Sequence, residues 1–142
     1  MKKMVTKTSF IALTLSFACY CYAADYAIIV HPSNNADMNQ QDIARLFLGK
    51  IKKFSNGEQA IPVNNSAGAP VRQAFESSIA GKTESQMKAY WSTLVFTGKG
   101  EMPKEVNSDS EMMDLVRKNP SVIGYVDKSS VDDSVKVVLT FE

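Results

Sequence analysis

Histidine and cysteine are nearly absent from this chain. Among 142 residues there is one histidine, His31, and two cysteines, Cys19 and Cys21, both close to the start. The first 23 residues read as a secretory leader. Lys2, Lys3 and Lys7 precede an apolar run from Phe10 to Ala18, and small residues at Cys21 and Ala23 place the cleavage after Ala23. Such a cut leaves residues 24–142 as one domain of 119 residues, without a cysteine. That excludes a disulfide, a thiolate nucleophile and a cysteine metal ligand from the exported chain.

A single histidine excludes a Cys-His pair and a histidine-rich zinc site. His31 stands before Pro32 in a loop, and no serine lies in a Gly-x-Ser-x-Gly elbow, so a Ser-His-Asp triad finds no support. It reads as a turn or surface residue. Long hydrophobic runs are missing as well, since Phe10 to Ala18 falls well short of the roughly 20 residues that span a bilayer. Charge of one sign is not in excess: 16 basic residues stand against 15 acidic ones, and 13 against 15 once the leader lysines are removed. With no basic stripe, a nucleic-acid partner is not expected. The densest basic group, Lys50, Lys52 and Lys53, reads as a solvated turn after a helix. Asp132 and Asp133 are adjacent carboxylates in a turn and point apart. No enzyme chemistry and no cofactor is expected.

What is present is an alternation of strands and helices. Tyr26 to Val30 is a short apolar run, hence a buried strand, and it ends in the loop His31-Pro32-Ser33-Asn34-Asn35. Asn39 can cap a helix that turns Ile43, Leu46 and Phe47 to one face, with Gly49 past its end. Ala60 to Val63 is a second strand. The small-residue loop Asn64 to Ala69 then opens into a helix from Pro70 that buries Val71, Ala74, Phe75 and Ile79 and stops at Gly81. Thr83 and Gln86 form a capping box before a helix with the stripe Met87, Tyr90, Trp91, Leu94 and Val95. Thr97 to Pro103 is a loop, and Ser108 with Glu111 is a second capping box, followed by Met112, Leu115 and Val116. Val122 to Val126 returns as a strand. Val135, Val137, Leu139 and Phe141 alternate with polar residues as a half-buried edge strand. The pattern is α/β.

In open α/β sheets ligands gather beyond the carboxyl ends of strands, where loops feed helix N-termini. Two loops have that placement in the sequence. One holds Ser33 and Asn34. The other is Asn64-Asn65-Ser66-Ala67-Gly68-Ala69, whose small side chains let an anion approach the backbone donors of the next helix. The same composition also suits an ordinary strand-to-helix connection.

The stretch Asp42-Ile43-Ala44-Arg45-Leu46-Phe47-Leu48-Gly49-Lys50-Ile51, with Phe54 and Gly57, resembles the helix-and-turn signature of PstS-like phosphate-binding proteins of ABC transporters. Ile61-Pro62-Val63 leading to Arg72 and Phe75 is similar to that family's strand, anion loop and helix, and Pro120 to Val126 resembles its returning strand. The resemblance implies one lobe of a type 2 periplasmic-binding-protein fold, with a central mixed sheet flanked by helices. It also implies a periplasmic, non-enzymatic role, a small phosphate-like anion as ligand, and an ABC transporter permease or another envelope protein as partner. The candidate ligand set is the one the two loops and the helix after the second offer: Asn65, Ser66, Ala67, Gly68, Ala69 and Arg72, with Ser33 and Asn34 from the first loop. The family's Arg-x-x-x-Ser-Gly-Thr positions fall here on Asn65, Ala69, Pro70 and Val71, so mostly backbone donors remain. Family members enclose phosphate between two lobes, and this chain is long enough for one. Three outcomes are open: weak binding on an open face, closure of the site in a homodimer, or a protein-interaction module that kept the lobe and lost the ligand.

Overall fold

The computed structural model describes residues 25–142, and the expected leader, residues 1–23, lies outside the described residues. Five strands form one sheet in the order β3-β2-β4-β1-β5. These are β1 (Tyr26–Val30), β2 (Ile61–Asn65), β3 (Lys104–Val106), β4 (Val122–Asp127) and β5 (Lys136–Phe141). β2 pairs in parallel with both β3 and β4, whereas β1 pairs antiparallel with β4 and with β5. β1 therefore runs against the other four strands. Four helices complete the fold: α1 (Gln40–Phe47), α2 (Pro70–Ser78), α3 (Glu84–Phe96) and α4 (Asp109–Lys118).

The two faces of the sheet carry separate cores, because successive strand residues point to opposite sides. Tyr26, Ile28 and Val30 with Ile123 and Tyr125 meet Ile43, Leu46 and Phe47 of α1 and Val71 and Phe75 of α2. Ala27 and Ile29 with Val63, Val122 and Val126 meet Met112, Met113 and Val116 of α4. An aromatic group anchors the first core. Phe75 stacks on Tyr125 with centroids 4.2 Å apart and planes 2° apart, and Phe47 packs against both rings. All three are almost wholly buried. Burying each such side chain contributes roughly 1.5–3 kcal/mol, so this trio fixes α1 and α2 on the sheet.

Local signals place three helix starts. The side chains of Asn39, Thr83 and Ser108 each accept from the backbone N–H three residues on. Thr83 and Gln86 complete a reciprocal box. The expected second box is only half formed, since Glu111 accepts from the N–H of Asn107, not of Ser108. β3 falls inside a stretch with no strand signal of its own, and it exists because β2 offers Lys104 to Val106 a parallel partner. Asn64 and Asn65, expected in a loop, are the last residues of β2.

Two apolar patterns are corrected by packing. α3 buries only Met87 and Trp91, which share a small cluster with Leu48, while Val95 is 50% exposed. It rests on the end of α1 instead of on the sheet. In β5, Ile28 is opposite Leu139 but Ile29 is opposite Val137, so Val138 is an extra residue. The bulge interrupts the alternation. Leu139 and Phe141 lie toward the α1–α2 side, and Val137 is left exposed.

Candidate functional site

β2, β3 and β4 are parallel, so their carboxyl ends lie together and gather three loops. After β2 comes Ser66-Ala67-Gly68-Ala69, after β3 comes Asn107-Ser108, and after β4 comes a 3-10 turn at Lys128–Ser130. In the first loop the Ala69 N–H donates to the Ser66 carbonyl at 3.2 Å. Gly68 has φ +80 with no atom near the place a Cβ would take, so the turn is open to solvent. α2 starts with Ala69 as its N-cap and Pro70 as its first residue, and no side chain caps it. The N–H groups of Val71 and Arg72, in the first turn, have no carbonyl within the helix to bond. They are the free donors of the site.

Beneath this loop lies a buried polar network. Arg72, 7% exposed, donates through Nε to Glu76 at 2.9 Å and through Nη1 to the Asn65 carbonyl at 2.9 Å and to Glu105 at 2.5 Å. Burial opposes its charge, but hydrogen bonds to Glu105 and Glu76 outweigh that and hold the guanidinium above its usual pKa. Asn65 is committed to the fold: its Nδ2 donates to the Tyr125 carbonyl at 2.8 Å and its backbone N–H to the Tyr125 hydroxyl at 3.3 Å. That hydroxyl donates to Asn64 Oδ1 at 3.0 Å, and burial raises its pKa. Across the same end, Asp109 accepts from the Asp127 N–H and the Ser130 hydroxyl. Hydrogen bonds from the Ser129 hydroxyl and N–H keep the Asp127 carboxyl below its ordinary pKa.

The expected residues therefore divide. Ser66, Ala67, Gly68 and Ala69 form one open turn on free helix donors. Asn65 and Arg72 lie directly under it, bonded inward. Ser33 and Asn34 lie elsewhere, because β1 is reversed: Val30 at its end pairs with Ile123, next to the Val122 that pairs with Ile61 at the start of β2. The first loop is thus at the opposite end of the sheet from the second. There Ser33 pairs with His31 Nδ1 at 2.7 Å, Asn34 Oδ1 accepts from the Ala36 N–H at 2.9 Å, and the Asn34 carbonyl accepts from Lys136. Sequence reasoning missed Glu105, Glu76, Tyr125 and Asp109. The spacing of four between Arg72 and Glu76 on one helix face was a usable signal, whereas Glu105 comes from a strand with no signal. Among the described residues no group of three metal-ligating side chains occurs, and no helix is long and apolar enough to cross a membrane.

No protein-family model and no curated protein matches the chain. Solved structures do. A protein from Clostridium perfringens, described as a phosphate ABC transporter substrate-binding protein and crystallised with bound phosphate, is similar at 24% identity and TM-score 0.64 over 81% of this chain and 45% of that one. An ABC-type phosphate transport receptor from Vibrio cholerae is similar at 23% identity and TM-score 0.63, over 81% of this chain and 46% of its own. PstS from Borrelia burgdorferi matches at 16% identity and TM-score 0.58, over 81% and 47%. The fold is that of one periplasmic-binding-protein-like lobe. It spans less than half the length of the solved structures it matches.

Proposed function

We propose that this lobe is a periplasmic substrate-binding component that holds a small oxyanion, phosphate or one shaped like it, and presents it to an ABC transporter. The observation that carries the reading is the uncapped start of α2, fed by the open turn Ser66–Ala69 at the carboxyl end of β2. A helix N-terminus of this kind joins free N–H donors to the positive end of the helix dipole. The likeness to phosphate-binding lobes supports the choice of ligand class. Export by a cleaved leader is part of the same reading.

Binding of this kind is weak. The turn supplies backbone donors and the Ser66 hydroxyl, while the nearest guanidinium is neutralised by Glu76 and Glu105. Tight small-molecule sites bury about 70–90% of the ligand, and one lobe leaves one side open. A second copy, or the transporter's membrane subunit, would close it. The neutralised Arg72 also favours a second reading, in which the same end of the lobe docks another envelope protein and holds no anion.

The test is unfolding of residues 24–142 in chloride, with phosphate or sulfate added at millimolar excess. An anion at 100 times its dissociation constant adds about 2.7 kcal/mol of stability. No shift with either anion sinks the substrate-binding reading.

A further inference from the structure

The basic group that the sequence offers as a solvated turn borders a cavity. Met38, Leu46, Ile51 and Phe54 form its apolar floor, and Lys52, Lys53 and Asp42 stand around it, in a groove open to solvent on one side with a volume of about 500 Å³. That volume falls within the usual range of small-molecule sites, about 300–1,000 Å³. Met38, Leu46 and Phe54 are each at most 8% exposed, so most of the floor is a fixed part of the core. The rim is held as well: Ser55 donates to the Asp37 carbonyl at 2.7 Å and Asn56 to Asn35 at 3.0 Å. Among the described residues neither Lys50, Lys52 nor Lys53 forms an ion pair. The cavity shares no lining residue with the turn at Ser66–Ala69.

We infer that this groove binds a small amphiphilic anion, an aromatic or short aliphatic body on the apolar floor with a carboxylate or sulfonate head at the lysine-bearing rim, Lys52 and Lys53. The charge complementarity decides the class. A neutral apolar ligand leaves both ammonium groups unused, and a cation meets two lysines against the single carboxylate of Asp42. A bare inorganic anion gains nothing from the floor, which separates this site from the oxyanion turn.

The experiment titrates residues 24–142 with 8-anilinonaphthalene-1-sulfonate, an aromatic sulfonate whose fluorescence reports entry into apolar surroundings, and competes it with octanoate and with octanol. Phe96, 93% accessible, is the most exposed large apolar side chain among the described residues and so the strongest competing place for the probe. Saturable binding is expected, displaced by octanoate and not by octanol, unchanged in Phe96→Ser, and about tenfold or more weaker in Lys52→Gln/Lys53→Gln, which corresponds to about 1.4 kcal/mol or more. Equal displacement by octanol, undiminished binding in the lysine variant, or loss of binding in Phe96→Ser overturns it. So does displacement by an acidic apolar peptide where octanoate fails, which assigns the groove to a protein partner. Both variants change exposed side chains, so an unaltered unfolding midpoint verifies that each is folded.

Discussion

Arg72 on α2 and Glu105 on the edge strand β3 meet at 2.5 Å, across 33 residues of sequence. The contact ties a helix to a strand of three residues that is otherwise held by its pairing with β2 and by the buried Val106. It also determines what the site above can offer. With Glu76 on its other side, the guanidinium is bonded inward, and a ligand in the turn at Ser66–Ala69 meets backbone dipoles in place of a free positive charge.

The two carboxylates around Arg72 are not equivalent. Glu76 is 4% exposed at its side chain and Glu105 is 39% exposed. Arg72→Met leaves Glu76 buried without a partner, a situation that costs about 3–5 kcal/mol. Glu105→Gln removes a partly solvated partner and costs about 1 kcal/mol or less. Urea unfolding of both variants checks the ordering, and equal losses would refute it.

Gly124 on β4 lies against Met112 of α4. A Cβ at Gly124 would fall 2.2 Å from the Met112 sulfur, and Met112 is fully buried. Gly124→Ala therefore overpacks the second core and is expected to cost about 1–3 kcal/mol. Because the clash is with one side chain, Gly124→Ala and Met112→Ala are coupled: the double variant is more stable than the sum of the single losses predicts. Additive losses in denaturant unfolding would show that the helix as a whole is displaced.

Asp127 should contribute a pH-dependent share of stability. Its folded pKa is lowered from 3.8 by the Ser129 hydrogen bonds. The unfolded state therefore binds the proton more readily, and stability falls as pH falls. The contribution is complete above the unfolded value, near 3.8, and is lost as pH drops through the lower folded value. Asp127→Asn keeps a capping side chain that does not titrate. The difference in urea midpoint between wild type and variant should be constant from neutral pH to about pH 5 and change only below that.

Much of the fold was legible because its signals are local. Asn39, Thr83 and Ser108 sit at the spacing a cap requires, and Tyr26 to Val30 is apolar throughout because both faces of β1 are covered. The parts that were not legible depend on distant partners. Lys104 to Val106 becomes a strand only beside β2, and Val137 turns outward because Val138 is bulged against β1. The direction of β1 is the most consequential of these. Read along the chain, the loops at Ser33–Asn34 and Ser66–Ala69 are equivalent, each following a strand. The antiparallel pairing of β1 with β4 puts them at opposite ends, so only the second can form a site with the loops after β3 and β4. Arg72 shows the same limit at one residue: Glu76 is visible four positions away, Glu105 is not.

Ala69 offers a test in which stability and binding move in opposite directions. It occupies the N-cap of α2 in extended backbone, φ −63 and ψ 137, the conformation from which an aspartate side chain accepts the N–H groups of the first turn. Ala69→Asp should therefore stabilise the ligand-free protein by about 0.5–2 kcal/mol, with the helix dipole adding in the same sense. The new carboxylate takes the donors that the oxyanion reading assigns to the ligand and sets a negative charge beside them. Any stabilisation by phosphate or sulfate seen in the wild type should then vanish in the variant. If the variant is stabilised and still responds to the anion as the wild type does, the anion lies away from the start of α2. The turn at Ser66–Ala69 is then a connection between a strand and a helix and no more.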